Sequence, residues 1–286
     1  MHRIVLLSSA DPRIKRGLQV VVMTQARSLR KRGYDAVVFC PNQQCEAYEL
    51  DGVPVYTFAF QRGRNSMLNF CTMMHHCWRD WRRHFGNSEP AVLHGHDHMT
   101  FFLLSRYLSD KVKKVFTVHD PMVYHHRMLG TLPQGTNMKE KMMTFIEASV
   151  YEKSEKIHVI SEYTRVRLAN YKVLESKIRL VHDWVDVEKF VLPRDRTMVR
   201  NQLSISPDDF VVFTLRALQE RMGLANLIKG FQQVKQAIPL ARLIIGGKGP
   251  LRSELENLAQ QLGVAENVTF LGYVPDEEVV PRYQAA

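Results

Sequence analysis

At 286 residues, with 45% hydrophobic and 24% charged side chains, the chain can bury the cores of two domains and has the composition of an ordinary soluble globular protein. No run approaches the roughly 18 to 20 apolar residues needed to span a bilayer, and the N-terminal IVLL suits a first buried strand rather than a signal peptide, so a cytoplasmic protein is expected. The formal charge of +10 sits mostly in residues 1–120, where 17 Lys and Arg face 10 Asp and Glu; such a face suits anionic headgroups at the inner membrane face or a phosphorylated acceptor, and without a nucleic-acid-binding motif nucleic acid ranks last.

Residues 3–8 (RIVLLS) read as a strand, QVVVMTQARSLRKRG as an amphipathic helix closing at Gly33, and AVVFCP as the next strand. Strand, loop, helix and strand of these lengths make a right-handed βαβ unit, with helices over a parallel sheet. After VPVYTF comes a helix over about Met67–His84, whose Trp78 and Trp81 read as core, with a lipid-facing surface as the alternative. AVLHGHDH is a buried strand ending in histidines, TFFLLSRYLSD a helix, and KVFTVHDP a strand ending in His119 and Asp120. His94, His96 and His119 therefore fall at the carboxyl ends of two parallel strands, the edge where open α/β sheets bind ligands. The competing reading is that each packs in the core or satisfies local backbone.

Residues 122–137, with Gly130, Pro133 and Gly135, read as a mobile loop over an acceptor. A helix carrying Glu147 and Tyr151 follows, then KIHVISEYTRVRLANY as a strand turning into a helix at Ser161, a predicted N-cap. KIRLVHDWVD is the last strand of this half. The polar stretch DVEKFVLPRDRTM places a domain boundary near residue 190, giving domains 1–190 and 191–286. Cys40, Cys45, Cys71 and Cys77 lack framework spacing and read as free thiols; Cys71, His75 and Cys77 have no matching ligand pair elsewhere, and no metal is expected.

In the second half, strands are expected at 210–215, 241–246 and 268–271. Val211 to Gly223 (VVFTLRALQERMG) is a strand running into a turn that holds Arg216 and Arg221, before the helical pattern LANLIKGFQQVKQ. A second turn of the same kind follows Ile245, where Gly246, Gly247, Lys248 and Gly249 precede Pro250 and a helix. Cations and free N–H groups at such turns suit a phosphate.

These stretches, in this order, resemble the retaining glycosyltransferases of the GT-B fold, in the large family 4 group. Gly17 falls in that family's N-terminal glycine loop, and VFTVHD carries its acceptor-side histidine as His119. IHVISEYTRVRL and IRLVHDWVDVEKF are similar to its strands before the linker, and TLRALQERMGLANLIKGF and RLIIGGKGPLRSELENLAQQLGVAENVTFLGYVPDEEVVPRYQAA to its donor half. The resemblance implies an α/β protein of two Rossmann-like domains facing a cleft, the first for a glycan, lipid-linked or small-molecule acceptor and the second for a nucleotide sugar. It implies that His119, Arg216 and Arg221 carry catalysis, and that Gly17, His96, Gly247, Lys248 and Gly249 bind substrate. The nucleotide sugar would be a substrate, with no cofactor and no metal.

Three features depart from the family pattern. At the diphosphate, where G-R-L-x-x-x-K-G is expected, Ala217 and Met222 stand at the Arg and Lys positions, and Arg216 and Arg221 are each one residue early. The asparagine usual before the linker is Asp183. The glutamate pair of E-x7-E spacing is missing after the third strand, so the second domain is expected to be incomplete; Glu147 and Glu155 have that spacing by coincidence. An inactive remnant or binding module of the same fold is the alternative, and a dinucleotide-binding Rossmann enzyme, which would need a G-x-G-x-x-G, the third reading.

Overall fold

The apolar runs of the first half assemble into one eight-stranded sheet and those of the second half into a separate three-stranded sheet. The computed structural model describes residues 3–60, 66–132, 137–185, 187–191 and 195–286, and the chain divides after Val185 into two compact units, 1–185 and 186–286.

Unit 1 begins with β1 (Arg3–Leu7), α1 (Gly17–Lys31), β2 (Asp35–Asn42), β3 (Ala47–Leu50), β4 (Val53–Ala59) and α2 (Ser66–Phe85). It continues through β5 (Val92–Gly95), α3 (His98–Tyr107), β6 (Lys113–Val118), α4 (Met122–Met128), α5 (Met138–Lys153), β7 (Lys156–Val159), α6 (Glu162–Leu168) and β8 (Ile178–Leu180). The strand order is β3-β4-β2-β1-β5-β6-β7-β8, parallel throughout except that β3 runs antiparallel to β4. Strand order reverses between β1 and β5, the point at which sheets of this kind open a crevice for ligands.

Both faces of this sheet are covered. Val5 and Leu7 of β1 join Phe39, Trp81, Phe101, Phe116 and Ile146 in one cluster, and Leu6 joins Val22, Ala26 and Val38 in another on the α1 side. This is the period-2 alternation of a strand buried on both faces. Trp81 is fully within the core; Trp78 is half-buried and stacks on Tyr107, with ring centroids 4.6 Å apart.

Three readings need correction. Residues 122–128 form α4 rather than a mobile loop. Its cause is tertiary: the buried Glu147 carboxylate of α5 accepts from the N–H groups of Met122 (2.6 Å) and Val123 (3.2 Å), capping the helix from outside its own sequence, and Val123 packs with Leu132 and Met143. Pro133 and Gly135 lie outside the described residues. The strand β3 was not anticipated; it pairs Leu50 with Val53 across an Asp51-Gly52 turn whose φ values, 50° and 75°, are both positive, as a two-residue hairpin requires. The last strand of unit 1 covers only Ile178–Leu180, and His182 to Val185 have left the ladder.

Unit 2 contains α7 (Arg196–Gln202), β9 (Phe210–Leu215), α8 (Leu224–Ala237), β10 (Ala241–Gly246), α9 (Arg252–Gln261), β11 (Val268–Gly272) and α10 (Asp276–Ala285). Its three strands are parallel in the order β11-β10-β9. Leu243 and Ile245 pack with Ile228 and Phe231 of α8 and Leu255 and Ala259 of α9, while Ile205, Val211 and Ala285 form a second cluster against the half-buried Ile244.

Candidate functional site

Side-chain alternation and register assemble a polar row on the α1 face of the first sheet. Leu93, Phe116, Val118, Ile157 and Val159 point into the opposite core, so His94, Thr117 and His158 point toward α1. Since His94 stands opposite Val115 and Thr117 opposite His158, the row crosses three adjacent strands, and His96 and His119 extend it past the carboxyl ends of β5 and β6. Gly95, between the two buried histidines, is required by packing: a Cβ there would lie 2.4 Å from Phe101 and 2.6 Å from Phe116.

Hydrogen bonds link this row into a chain, apart from His158, whose buried Nδ1 has no hydrogen-bond partner. His94 Nε2 lies 2.8 Å from Thr117 Oγ1, and His94 Nδ1 lies 3.1 Å from Gln25 Nε2. Gln25 Oε1 is 2.8 Å from His96 Nε2, and His96 Nδ1 is 3.0 Å from His119 Nε2. His119 Nδ1 then faces Asp183 Oδ2 at 3.8 Å. Burial pushes the His94 pKa down to about 3 and that of His96 well below its ordinary value. Burial also lowers His119, against the opposing pull of Asp183 and Asp120.

Gly17 opens α1, and Arg16 before it supplies no side-chain cap. The first N–H bonded within the helix is that of Val20, to Arg16 O at 3.0 Å, so the amides of its first turn have no intrahelical partner. A Cβ at Gly17 would meet nothing within 4 Å, so the absence of a side chain there answers to no packing demand within the protein.

At the same sheet edge lies a cavity of about 500 Å³ lined by Met73, Met99, Met122, Met142 and Met143 with Phe60, Phe70 and Ile146. Ser9, Asp97, His126 and Lys139 supply polar groups, and Thr100, which also lines it, has a buried hydroxyl with no hydrogen-bond partner.

In unit 2 the two turns are stitched together by backbone. Arg216 N–H donates to Gly246 O (3.0 Å), Leu218 N–H to Lys248 O (3.0 Å) and Leu251 N–H to Leu218 O (3.2 Å). Only glycine allows this approach: a Cβ at Gly247 would fall 1.8 Å from Arg216 O, and one at Gly249 2.3 Å from Leu218 O. Gly247 has φ of +123° and spends its N–H on Gly272 O at 2.6 Å, so its contribution is to turn packing rather than to a free donor. Lys248 is exposed, its Nζ 5.5 Å from the Tyr273 ring centroid.

Gly223, at φ 68°, is the N-cap of α8 and offers no side chain, which leaves the first-turn amides of α8 without an intrahelical partner. Arg216 and Arg221 are both exposed on the turn leading to them. Arg216 Nη2 lies 3.5 Å from Met222 Sδ, so this guanidinium reaches the position where the family pattern would place a lysine.

Cys71 is exposed and Cys77 buried in the core, so the two do not share a face toward His75; among the described residues no group of three or more His, Cys, Asp or Glu side chains is placed to hold a metal ion. Glu147 and Glu155 belong to separate structures: the first caps α4, and the second lies beyond α5 and pairs with Lys113 at 3.1 Å. Gln25 and Thr117 were missed by the sequence reading. The available signal was a glutamine on the apolar face of an amphipathic helix, between Val22 and Ala26.

Comparison with known proteins follows the same division. The family model described as Glycosyltransferase Family 4 matches residues 15–189, and that described as Glycosyl transferases group 1 matches residues 195–286. An uncharacterized glycosyltransferase of Methanocaldococcus jannaschii is 23% identical over 280 residues, covering 96% of this chain and 70% of the relative. The alpha-monoglucosyldiacylglycerol synthase of Streptococcus pneumoniae is 19% identical over 279 residues, covering 94% of this chain and 61% of the relative. Among solved structures, sucrose-phosphate synthase from Thermosynechococcus elongatus superposes with a TM-score of 0.75 at 17% identity, covering all of this chain and 74% of that one. Anabaena HepE in complex with UDP and glucose gives 0.67 at 16% identity, covering 99% and 71%.

Proposed function

The chain belongs to glycosyltransferase family 4, a family of glycosyl-transferring enzymes, and from that premise we propose that it moves a sugar from a nucleotide-sugar donor to an acceptor with retention at the anomeric carbon. The observation that carries this reading is the pair of stitched turns in unit 2, held so close that Gly247 and Gly249 cannot bear a side chain. They set uncapped amides of α8 beside Arg216 and Arg221, and a diphosphate is the ligand this chemistry suits. Departure of a nucleoside diphosphate builds negative charge on it. Preorganised cations and N–H dipoles stabilise that charge without a divalent metal, and the nucleotide sugar is a substrate rather than a cofactor.

In this reading the first unit serves the acceptor. His119 stands at its sheet edge to meet sugar hydroxyls, while His96, buried and bonded at both ring nitrogens, acts behind it rather than on the sugar, and Gly17 opens a further set of amides without intrahelical partners. The methionine-lined cavity supports an acceptor that carries an apolar group, such as a lipid-linked sugar, because flexible thioethers adapt to alkyl shapes. A peripheral association with anionic membrane surface fits the basic excess of residues 1–120.

Calorimetry with UDP, GDP, ADP and NAD tests the donor assignment. One nucleoside diphosphate is expected to bind, and Arg216→Ala and Arg221→Ala each to weaken it by about tenfold or more, the loss of one charge-assisted contact. Silence toward all three diphosphates would favour the inactive remnant, and binding of NAD alone a dinucleotide enzyme.

A further inference from the structure

We propose that Gln25 is a positioning residue that fixes the ring tautomer of His119, so that His119 presents Nδ1 as a bare acceptor beside Asp183. The inference rests on the reading of His119 as a substrate-facing group. It adds a residue on α1 that touches neither donor nor acceptor.

The argument is one of donors and acceptors. A primary amide has a donating end and an accepting end, and a neutral imidazole has one of each. Gln25 is 9% exposed and bridges two buried rings. Its Nε2–H₂ donates to His94 Nδ1, which places the His94 proton on Nε2, where it donates to Thr117 Oγ1. At its other end Oε1 accepts from His96, which places that proton on Nε2 and leaves His96 Nδ1 an acceptor. The atom facing it is His119 Nε2, which must then donate. His119 Nδ1 is left without a proton, 3.8 Å from a carboxylate oxygen and outside hydrogen-bond reach of it. Two acceptors at that spacing are complementary to a donated hydroxyl, and sugars offer hydroxyls.

The chain has one other self-consistent setting, reached by turning the Gln25 amide over. All three rings then invert, and His119 points a proton from Nδ1 toward Asp183. The orientation of one side chain therefore decides which atom His119 offers.

Histidine ring spectra of the full chain labelled with 15N distinguish a protonated Nε2 from a protonated Nδ1, with resonances assigned through His94→Gln, His96→Gln and His119→Gln. His94, His96 and His119 are expected as single Nε2–H tautomers in the unsubstituted protein. In Gln25→Leu, of similar size but without the amide, His119 is expected to become a mixture of both forms; in Thr117→Val, beyond the far ring, it is expected to stay Nε2–H. A proton on His119 Nδ1 in the unsubstituted protein would overturn the proposal, whatever happens to the fold of the variants. So would a Gln25→Leu protein in which His119 remains a single Nε2–H tautomer. The spectra need no substrate, so failure of the calorimetry would strike the donor assignment and leave this measurement decisive on its own terms.

Discussion

Glu147 is fully buried and accepts from four donors: the N–H groups of Met122 and Val123 and the hydroxyls of Tyr151 and Tyr171. Replacing it by leucine removes every acceptor and keeps the burial, so Glu147→Leu should destabilise unit 1 by about 3 to 5 kcal/mol, the range for breaking a buried charged network. Glu147→Gln keeps the shape and one acceptor and should lose less. Urea unfolding followed by tryptophan fluorescence reads this directly, because Trp78, Trp81 and Trp184 all lie in unit 1; equal stability of the leucine variant and the parent would remove Glu147 as the organiser of α4. Which residues could be read from sequence depends on the distance to their partners. The rim histidines were visible because alternate positions at the end of an apolar run are a local pattern. Gln25 was not, since its partners stand 69 and 71 positions away, and neither was the capping role of Glu147, 24 and 25 positions from the amides it accepts.

The paired turns of unit 2 depend on glycine, whereas helix α8 merely tolerates it. At Gly249 a Cβ would sit 2.3 Å from the Leu218 carbonyl oxygen, and backbone cannot yield cheaply. Gly249→Ala should therefore cost about 1 to 3 kcal/mol of unit 2 stability, as overpacking does, and weaken nucleotide binding by prising the turns apart. Gly230, exposed within α8, has nothing within 4 Å of its Cβ position, and Gly230→Ala should stabilise by about 0.4 to 1 kcal/mol. Thermal unfolding of the two variants should move in opposite directions; shifts of one sign would show that the close approach does not govern the turn. The strands and helices here were readable because apolar runs, glycines and helical periodicity all agree. The hairpin at Asp51-Gly52 carried an equally local signal that went unread. By contrast, α4 lies where glycine and proline suggested a loop, and it is held by a carboxylate from another helix.

Across the whole molecule the titratable groups are divided as sharply as the cores. All twelve histidines fall within unit 1, where burial lowers the pKa of His94, His96, His98, His119 and His158. Unit 2 has none, and among its described residues the one shifted group is Arg200, which titrates far above neutrality. His94 and His96 stay neutral in the folded protein down to about pH 3 for the first and well below its ordinary value for the second, whereas in the unfolded chain both protonate near 6.5. Between those values the unfolded state binds more protons, so stability rises with pH across the window and is lost as pH falls through it. From pH 7.5 to 5.5 each ring should withdraw about 1.4 kcal/mol, or roughly 3 kcal/mol for the pair, from unit 1 alone. The lowered carboxylates Asp11, Asp80 and Glu89 lose their contribution only as pH falls below their ordinary values of 3.8, 3.8 and 4.5, outside this range. Calorimetry at the two pH values, with tryptophan fluorescence marking the unit 1 transition, should show that transition falling while the fluorescence-silent transition of unit 2 holds its place. Equal movement of both transitions would mean that the buried histidines of the sheet edge are not what makes the protein sensitive to acid.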